Sequence, residues 1–438
     1  MKIGLIGNMN NNNFAFLRYL IDLGYDAKLI IFKSEMMGNS SHFSPNADSW
    51  QIEKWNKYIV QCDLSEDPIS IFNFPVSYLL SIRDILRNLL NNLNIIKKPV
   101  SNQKILNIFS DYDFLIGSGI TPSILNRVGL KLDIFLPYSI GVEWLGSPII
   151  IKKLKSNNII TRFLTKKILN KQLNALKLAN TILCVSDDIT KNVLYKYDLE
   201  FSSSLYPMLY NLEKLPSKNL TNENIINYKI SEVVEEINKS DFSIFCHSRN
   251  IWVNDELLEE NDWKKTNKNS DWIIRAFANF LKKTNKINPI LILLEYGKDF
   301  EASKTLCVDL EIDKHVFWLP ILERKNIMWF LSKIDVGVGE FYEIDNLLFG
   351  GTGYEVLSSG KPFIQSFNFD EKSFINQYSV PLPPVLSALN IQEIENQLIN
   401  LSTDENLYDE ISHSSKEWFN DNCGIGLADK IIKNNLLK

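Results

Sequence analysis

Apolar and polar positions along the chain follow two alternating patterns. Short apolar runs, each bounded by polar or glycine-containing loops, recur along most of the chain, and segments with apolar residues at helical spacing lie between many of them. The runs are residues 2–7, 25–32, 114–116, 134–138, 181–186, 242–246, 290–294, 316–319, 334–338 and 363–364. Strands that alternate with helices form parallel sheets covered by helices on both faces. The pattern therefore predicts an α/β fold of the doubly wound, Rossmann type.

A polar segment separates two groups of these strands. Residues 209–240 contain Pro216 and are rich in Asn, Lys and Glu, which is typical of a connection between domains. A chain of 438 residues is also long for one hydrophobic core. The sequence thus predicts an N-terminal Rossmann-like domain at 1–208, a linker at 209–240 and a C-terminal Rossmann-like domain at 241–410. Beyond residue 384 the pattern predicts helix to the end of the chain.

Composition and charge exclude several classes of protein. An apolar content of 45% with 23% charged residues is that of a globular protein, and a net charge of -5 argues against a general nucleic-acid binder. The five cysteines are dispersed without a CxxC pair, as in reduced cytosolic proteins, and the four histidines lack the spacing of a metal site. No apolar run approaches the length of a membrane span, and the chain begins with a strand rather than a signal peptide. We therefore expect a cytoplasmic protein.

The segment 335–364 carries the clearest functional pattern. A short strand leads through an acidic loop to Gly350, Gly351 and Gly353, and then to a helical turn that carries Glu355. Glycines let backbone amides approach a ligand closely, and the N-terminus of a helix favours an anion. A carboxylate just inside that helix can accept hydrogen bonds from the vicinal hydroxyls of a ribose. The unit suits a nucleotide; the alternative is an ordinary tight turn in which Glu355 only complements the helix dipole.

This segment resembles the C-terminal signature of the retaining GT-B glycosyltransferases of family 4. That signature is a Glu, seven residues containing Phe-Gly, a second Glu, a helix of small residues and Gly-x-Pro. Glu355 stands at the second Glu, while Leu347 stands where the first Glu is expected. The other matching positions are Phe349-Gly350 and Gly360-Lys361-Pro362. The resemblance implies two Rossmann-type domains facing a cleft, with the helix at 411–438 crossing back to the N-terminal domain.

The resemblance also implies roles for individual residues in the second half. In the family the second Glu holds the nucleotide ribose, so this role passes to Glu355. The donor-binding residues implied by the motif are Phe349, Gly350, Gly351, Thr352 and Glu355. In the family the first Glu lies near the donor sugar, and Leu347 stands at that position here. The resemblance therefore implies catalytic activity less strongly than it implies ribose binding by Glu355. Carboxylates that could replace it stand just upstream at Glu340, Glu343 and Asp345.

Two cations in the second half match a further family pattern. Family members have Gly-Arg after a strand and Lys-Gly before a helix; here Arg249 matches the Arg, Lys268 matches the Lys, and Ser248 replaces the Gly. Two cations converging on one site suit a nucleotide diphosphate, and they can neutralise a leaving group without a metal. We therefore predict donor-binding and catalytic roles for Arg249 and Lys268. Either residue alone would more often be a surface charge.

Candidate residues of the N-terminal half lie in loops after its strands. The first strand ends in Asn10, Asn11, Asn12 and Asn13 in place of a dinucleotide GxGxxG pattern, and asparagine tolerates left-handed turns and offers amide groups to sugar hydroxyls or phosphate. His42 follows the second strand. These residues are candidates for the acceptor side, or else form a solvated turn and a surface histidine. Glu143 stands at a strand end where the family commonly has a His-Gly or Tyr-Gly-Ser-Asp stretch near the sugar; it is a catalytic candidate, with a structural salt bridge as the alternative.

The stretch 149–177 is basic and amphipathic. No acidic residue occurs between Leu145 and Ser186, while lysines and arginines are interleaved with Ile, Leu and Phe. Such a stretch can lie on anionic lipid headgroups. It can equally be a helix that faces the core on one side and presents lysines to solvent on the other.

Together these patterns favour a glycosyltransferase that uses a nucleotide sugar and acts on a glycan or lipid-linked acceptor. The resemblance implies retention, no metal, and no cofactor beyond the nucleotide-sugar co-substrate; surface polysaccharide or glycoconjugate biosynthesis is the expected context. The alternative, motivated by Leu347 and by the absence of a histidine near Gly141, is a non-catalytic GT-B partner that binds a nucleotide or glycan. A dinucleotide-dependent oxidoreductase is disfavoured because the first strand lacks GxGxxG. We expect cytoplasmic localisation with possible peripheral membrane contact through 149–177.

Overall fold

The chain forms two compact units in the computed structural model. The first comprises Met1–Tyr210 with Cys423–Lys438, and the second comprises Asn211–Asn422. The residues that the structure describes are 1–32, 42–62, 64, 101–137, 142–155, 159–184, 188–216, 228–254, 263, 266–343 and 347–436. Predicted features at Asp345, and most of the loop before Lys268, lie outside the described residues.

A parallel sheet forms the centre of the first unit. Within the described residues it has seven strands, β1 (Lys2–Ile6), β2 (Asp26–Phe32), β3 (Ile59–Cys62), β4 (Phe114–Gly117), β5 (Ile134–Phe135), β6 (Thr181–Cys184) and β7 (Ser202–Ser203). Their order is β3-β2-β1-β4-β5-β6-β7. Ile3 of β1 is paired with Ala27 on one side and Phe114 on the other, so β1 lies in the middle of the sheet.

The second unit has a parallel sheet of similar design. Within the described residues it has six strands, β8 (Phe242–Cys246), β9 (Pro289–Leu294), β10 (Val316–Leu319), β11 (Val336–Val338), β12 (Phe363–Gln365) and β13 (Val385–Ser387). Their order is β10-β9-β8-β11-β12-β13. β8 and β9 are buried along their whole length, which is why they are continuous apolar runs rather than alternating ones.

Helices connect the strands of both sheets. They are α1 (Asn12–Asp22), α2 (Ile52–Asn56), α3 (Asn102–Phe109), α4 (Thr121–Asn126), α5 (Pro148–Leu154), α6 (Ile159–Leu176), α7 (Asp188–Lys196), α8 (Tyr228–Lys239), α9 (Ser270–Leu281), α10 (Phe300–Asp309), α11 (Arg324–Leu331), α12 (Gly351–Ser359), α13 (Glu371–Tyr378), α14 (Ile391–Thr403), α15 (Glu405–Asn422) and α16 (Ile425–Leu436). α8 lies within the polar segment 209–240 and belongs to the second unit. The prediction of uninterrupted helix after residue 384 is wrong, because β13 extends the second sheet there.

The last two helices belong to different units. α15 is part of the second unit, whereas α16 packs against α1 in the first. Its buried side chains are Leu427, Ala428, Ile431 and Ile432. Asn435 Oδ1 accepts a hydrogen bond of 2.8 Å from Thr181 Oγ1 of β6, so the end of the chain is fixed to the first sheet.

Candidate functional site

The candidate residues of the second unit surround the point where its strand order reverses. β8 comes first in the unit, with β9 on one side and β11 on the other. Loops that leave the carboxyl ends of two such strands diverge, and ligands of open α/β sheets bind in the crevice between them. His247, Ser248 and Arg249 follow β8 directly, while Gly339 and Glu340 follow β11.

Backbone hydrogen bonds fix Lys268 next to these loops. Its amide donates to Ile251 O at 2.9 Å, and its carbonyl accepts from Phe341 N at 3.1 Å. The next residue, Asn269, adopts a left-handed conformation with φ of 40° before α9 begins, and its Nδ2 donates to Phe341 O at 3.1 Å. These bonds hold the segment before α9 against the loop that follows β11, so the position of Lys268 is set by two other parts of the unit.

The Lys268 side chain forms a closed cluster with Glu340 and Tyr342. Lys268 Nζ lies 2.6 Å from Glu340 Oε1 and donates to the Tyr342 hydroxyl at 2.6 Å, and that hydroxyl donates to Glu340 Oε2. Only 9% of the Lys268 side chain and 19% of the Glu340 side chain are exposed. Burial lowers the pKa of Lys268, although the Glu340 carboxylate opposes this effect. Burial and the Glu340 charge raise the pKa of Tyr342, so its hydroxyl stays protonated and can donate.

Arg249 adds a second cation beside this cluster. Its side chain is exposed. It is nevertheless close enough for its charge to lower the pKa values of both Lys268 and Tyr342. The structure therefore brings the two predicted cations together, with an acidic side chain already in contact with one of them.

Glu355 of α12 is held by two basic side chains from other elements. Its Oε2 lies 2.8 Å from His247 Nε2, and its Oε1 accepts a hydrogen bond of 3.0 Å from Arg324 Nε. Burial by itself raises the pKa of Glu355, but the hydrogen bonds and charges of His247 and Arg324 outweigh it and lower the pKa below its usual value. A carboxylate oxygen has two lone pairs. Each oxygen of Glu355 can thus accept a further hydrogen bond.

Two glycines explain how α12 reaches this place. A Cβ on Gly337 of β11 would meet the Val356 side chain at 2.4 Å, so a glycine is needed for α12 to pack this closely on the sheet. A Cβ on Gly353 would lie 2.5 Å from the ring of Phe349, which is buried. By contrast, a Cβ on Gly351 would meet no described atom within 4 Å.

The loop before α12 is open to solvent. Gly350 is exposed and caps the helix without a side chain, and a Cβ there would also meet no described atom within 4 Å. Thr352 in the first turn is half-buried. Neither packing nor a positive φ explains the glycines at 350 and 351, whereas close approach of a ligand to their amides does. Leu347, at the position of the missing motif Glu, is half-buried and presents no polar group.

The sequence analysis missed His247, Arg324 and Tyr342. Arg324 begins α11 and stands 31 residues from Glu355, a separation that carries no local signal. His247 directly follows β8, and a polar side chain at the end of that strand faces the switch point of the sheet. This position could have identified His247 as a site residue from the sequence. Tyr342 lies in the acidic loop after β11, two residues after Glu340.

In the first unit, the asparagines after β1 build a tight loop. Asn10 and Asn11 adopt left-handed conformations, with φ of 54° and 58°, as predicted for this residue type. Asn13 Nδ2 donates to Ile6 O and Gly7 O, at 3.2 and 2.8 Å. Asn11, Asn12 and Asn13 are buried and Asn10 is exposed. The loop is therefore held together largely by its own amides.

His42 lies beside this loop. The Asn11 amide donates to His42 O at 3.2 Å, which brings the two predicted acceptor-side positions together. The His42 side chain itself is exposed. This exposure agrees with the surface histidine that the sequence left as an alternative, and it also leaves the ring accessible to an acceptor.

Glu143 lies on the loop between β5 and α5, apart from the asparagine loop in sequence. It is buried, and Val142, Glu143 and Trp144 have consecutive positive φ values of 35°, 33° and 82°. Such backbone is uncommon for residues other than glycine, and strained backbone tends to cluster at functional sites. Burial raises the pKa of Tyr206, and the charge of Glu143 adds to this effect, so the two side chains are neighbours.

The basic stretch forms α5 and α6. Ile168, Leu169 and Leu176 in the second half of α6 are buried, so this part faces the core. In the first half, Ile159 and Phe163 are 70% and 64% exposed. The exposed basic residues beside them are Arg162, Lys166 and Lys167. In the described parts of the chain, no helix is long and apolar enough to cross a bilayer.

Comparison with known proteins identifies the fold. No family model and no curated protein matches the sequence. Among solved structures, Anabaena HepE in complex with UDP and glucose has a TM-score of 0.54 at 12% identity, over 100% of this chain and 99% of that chain. The chain has the GT-B fold. The predicted α/β class with two doubly wound sheets is thereby confirmed.

Two further solved structures share this fold. Sucrose-phosphate synthase from Thermosynechococcus elongatus has a TM-score of 0.52 at 10% identity, over 100% of this chain and 99% of that chain. UDP-GlcNAc 2-epimerase from Neisseria meningitidis bound to UDP-GlcNAc has a TM-score of 0.50 at 14% identity, over 100% of both chains. These proteins differ in activity, and at such identities the GT-B likeness establishes the fold alone.

Proposed function

We propose that this GT-B protein is a glycosyltransferase that moves a sugar from a nucleotide-sugar donor to a glycan or lipid-linked acceptor. The observation that carries the proposal is the grouping of Arg249, Lys268 and Glu355 around the carboxyl ends of β8 and β11. This is the switch point of the second sheet, where doubly wound folds bind nucleotides. HepE and the Neisseria epimerase, which share the fold, were crystallised with UDP or UDP-sugars.

The residues suit a nucleoside diphosphate that leaves as the sugar is transferred. Arg249 and Lys268 can neutralise the negative charge that develops on the leaving diphosphate, which favours the transition state over the bound donor. The amides of Gly350 and Gly351, at the N-terminus of α12, can donate to phosphate oxygens. Glu355, kept ionised and fixed by His247 and Arg324, can accept hydrogen bonds from the ribose hydroxyls. In this proposal the two cations, rather than a metal ion, stabilise the leaving group.

The first unit supplies the acceptor side of the proposal. Asn10, with the neighbouring asparagines, and His42 would contact the acceptor, and Glu143 would act on the reacting groups. Burial beside Tyr206 and consecutive positive φ values support a special role for Glu143. Retention at the anomeric carbon and a role in surface polysaccharide or glycoconjugate synthesis rest on the resemblance to family 4.

A peripheral contact with the inner face of a membrane completes the proposal. Ile159 and Phe163 protrude from α6 among Arg162, Lys166 and Lys167. Exposed apolar side chains surrounded by cations suit an interface with anionic headgroups. Such a contact would place the protein beside a lipid-linked acceptor.

A second candidate is a non-catalytic partner that binds a nucleotide or glycan. Leu347 favours it, because a half-buried leucine replaces the carboxylate that the family motif places near the donor sugar. Measurable turnover of a nucleotide sugar would exclude this candidate.

Both candidates are proposed to bind a nucleotide, so a nucleotide-binding experiment tests both of them. The protein and its Glu355→Ala variant are melted with UDP, GDP, ADP and CMP. One of these should raise the melting temperature of the wild type, and Glu355→Ala should lose most of that shift. The matched control is Glu371→Ala, which removes an exposed carboxylate from the first turn of α13. If no nucleotide stabilises the wild type, the proposal fails; if one does, release of that nucleotide from its sugar conjugates distinguishes enzyme from partner.

A further inference from the structure

We propose that Glu340 is an internal counter-anion that competes with the donor's diphosphate for Lys268 and so limits how tightly the protein holds nucleotide. This inference rests on the proposed function, because it assumes that Lys268 binds the diphosphate. The acidic loop after β11, which carries Glu340, would then take part in exchange of the donor. This role is separate from ribose binding by Glu355.

The geometry of the cluster supports this role. Glu340 Oε1 lies 2.6 Å from Lys268 Nζ, the distance of a direct ion pair, and both side chains are mostly buried. An anion that approaches Lys268 to the same distance meets the Glu340 carboxylate as well. Like charges at such separation repel strongly where water is largely excluded. Diphosphate binding therefore requires either that Glu340 moves away from Lys268 or that the repulsion is overcome.

Tyr342 offers Glu340 a partner when Lys268 is engaged elsewhere. Its hydroxyl donates to Glu340 Oε2, the oxygen that does not face Lys268. Burial and the Glu340 charge keep this hydroxyl protonated by raising its pKa. A carboxylate that retains one hydrogen bond can leave a cation at lower cost than one left without a partner. The pair can thus open towards a diphosphate and close again once the product departs.

The competition has a functional consequence for the end of the reaction. The nucleoside diphosphate product carries more charge on its phosphates than the donor, so the cations hold it more tightly. Release of product limits the rate of many enzymes. Return of Glu340 to Lys268 displaces the product from one of its two cations, while Arg249 remains exposed to attract the next donor.

Calorimetric titration with UDP, GDP, CDP and ADP tests the inference. Glu340→Gln should bind the preferred nucleoside diphosphate about tenfold more tightly than the wild type. Glu340→Asp keeps the charge but shortens the side chain, and its affinity should lie between the two. Glu371→Gln is the matched control: it removes an exposed carboxylate of the second unit, in the first turn of α13, and should leave the affinity unchanged. The corresponding nucleoside, which lacks phosphates, should bind all four proteins equally.

The outcomes separate this inference from the proposed function. If a diphosphate binds the wild type but Glu340→Gln binds it no more tightly, Glu340 is not a competing anion, and the proposed function stands. Equal tightening in Glu371→Gln would assign the effect to net charge and also overturn the inference. If no diphosphate binds any of the proteins, both proposals fall. Thermal unfolding of each variant establishes that it is folded before titration.

Discussion

His247 Nε2 lies 2.8 Å from Glu355 Oε2, and both side chains are nearly buried. The other oxygen of Glu355 accepts a hydrogen bond from Arg324, so the carboxylate is fixed in orientation from two sides. A group that is already ordered loses little entropy when it binds a ligand. His247 and Arg324 are therefore positioning residues for Glu355, and the ionised, fixed carboxylate is suited to receive a pair of hydroxyls.

The stability contributed by Glu355 should depend on pH in a defined direction. Its pKa in the folded protein is lower than the ordinary 4.5, so its ionised form stabilises the fold above that pH. This contribution should be lost as the pH falls from 4.5 through the lower, folded pKa. The difference in free energy of unfolding between wild type and Glu355→Gln, measured with urea from pH 7 to acid, should therefore shrink below pH 4.5. A difference that stays constant would contradict the assigned ion pairs, and Glu343→Gln serves as the exposed control.

Removal of the His247 ring should affect ribose recognition in particular. We expect His247→Ala to weaken binding of the preferred ribonucleotide by about fivefold, since Glu355 then loses one of its two fixed partners. Binding of the 2′,3′-dideoxy form, which has no vicinal hydroxyls, should change little. The ratio of the two affinities is the measurement. An equal loss for both forms would indicate a general disturbance of the site rather than loss of Glu355 positioning.

Gly351 and Gly353, two residues apart, should respond differently to alanine. A Cβ at Gly351 meets no described atom within 4 Å, so Gly351→Ala should change the free energy of unfolding by less than about 0.5 kcal/mol. It should still weaken nucleotide binding, because the methyl group obstructs approach to the amide. Gly353→Ala places a methyl 2.5 Å from the Phe349 ring and should destabilise the protein by about 1–3 kcal/mol. The opposite order of stabilities in urea unfolding would contradict the packing described for α12.

Arg249→Gln should weaken diphosphate binding by about tenfold, because it removes the exposed cation beside Lys268. Raising the salt concentration should weaken binding by the wild type more than by this variant, since the lost interaction is screened by ions. Lys282→Gln, which removes an exposed cation at the end of α9, is the matched control. If both variants lose the same amount of diphosphate affinity, the loss comes from the change in net charge rather than from a contact of Arg249 with the diphosphate.

Phe163→Asp should reduce flotation of the protein with vesicles that contain anionic phosphatidylglycerol. The variant places a carboxylate among Arg162, Lys166 and Lys167, where it opposes both burial in lipid and attraction to headgroups. Ile287→Asp changes a side chain that is 91% exposed in the second unit, and it should float like the wild type. Wild-type protein that fails to float with these vesicles would remove the membrane contact from the proposal.

Prediction from sequence succeeded where a strand is buried on both faces. The runs 242–246 and 290–294 fall on β8 and β9, because continuous apolar residues leave few alternatives. β13 was missed because three half-buried residues are too few to establish a period. α8 was missed although Ile230, Val233, Val234 and Ile237 are buried at helical spacing, since the polar residues around them suggested a linker.

The candidate site was less accessible to prediction than the fold. Glu355 and Lys268 could be found from local motifs, since glycine loops and helix starts have signatures in the sequence. The partners of these residues could not. Glu340 meets Lys268 because β8 and β11 end side by side in the second sheet, and Arg324 meets Glu355 because α11 packs against α12. Pairings of this kind follow from topology rather than from spacing along the chain.

The return of α16 to the first unit has a consequence for how the protein is made. Its buried Leu427, Ala428, Ile431 and Ile432 belong to the unit that is synthesised first, yet they are translated only after the whole second unit. We expect the surface of the first unit that receives them to stay uncovered on the ribosome until synthesis of the second unit is finished. Chains that stop before residue 423 should therefore bind chaperones and be degraded faster than chains that include α16, which pulse-chase labelling of the two would show.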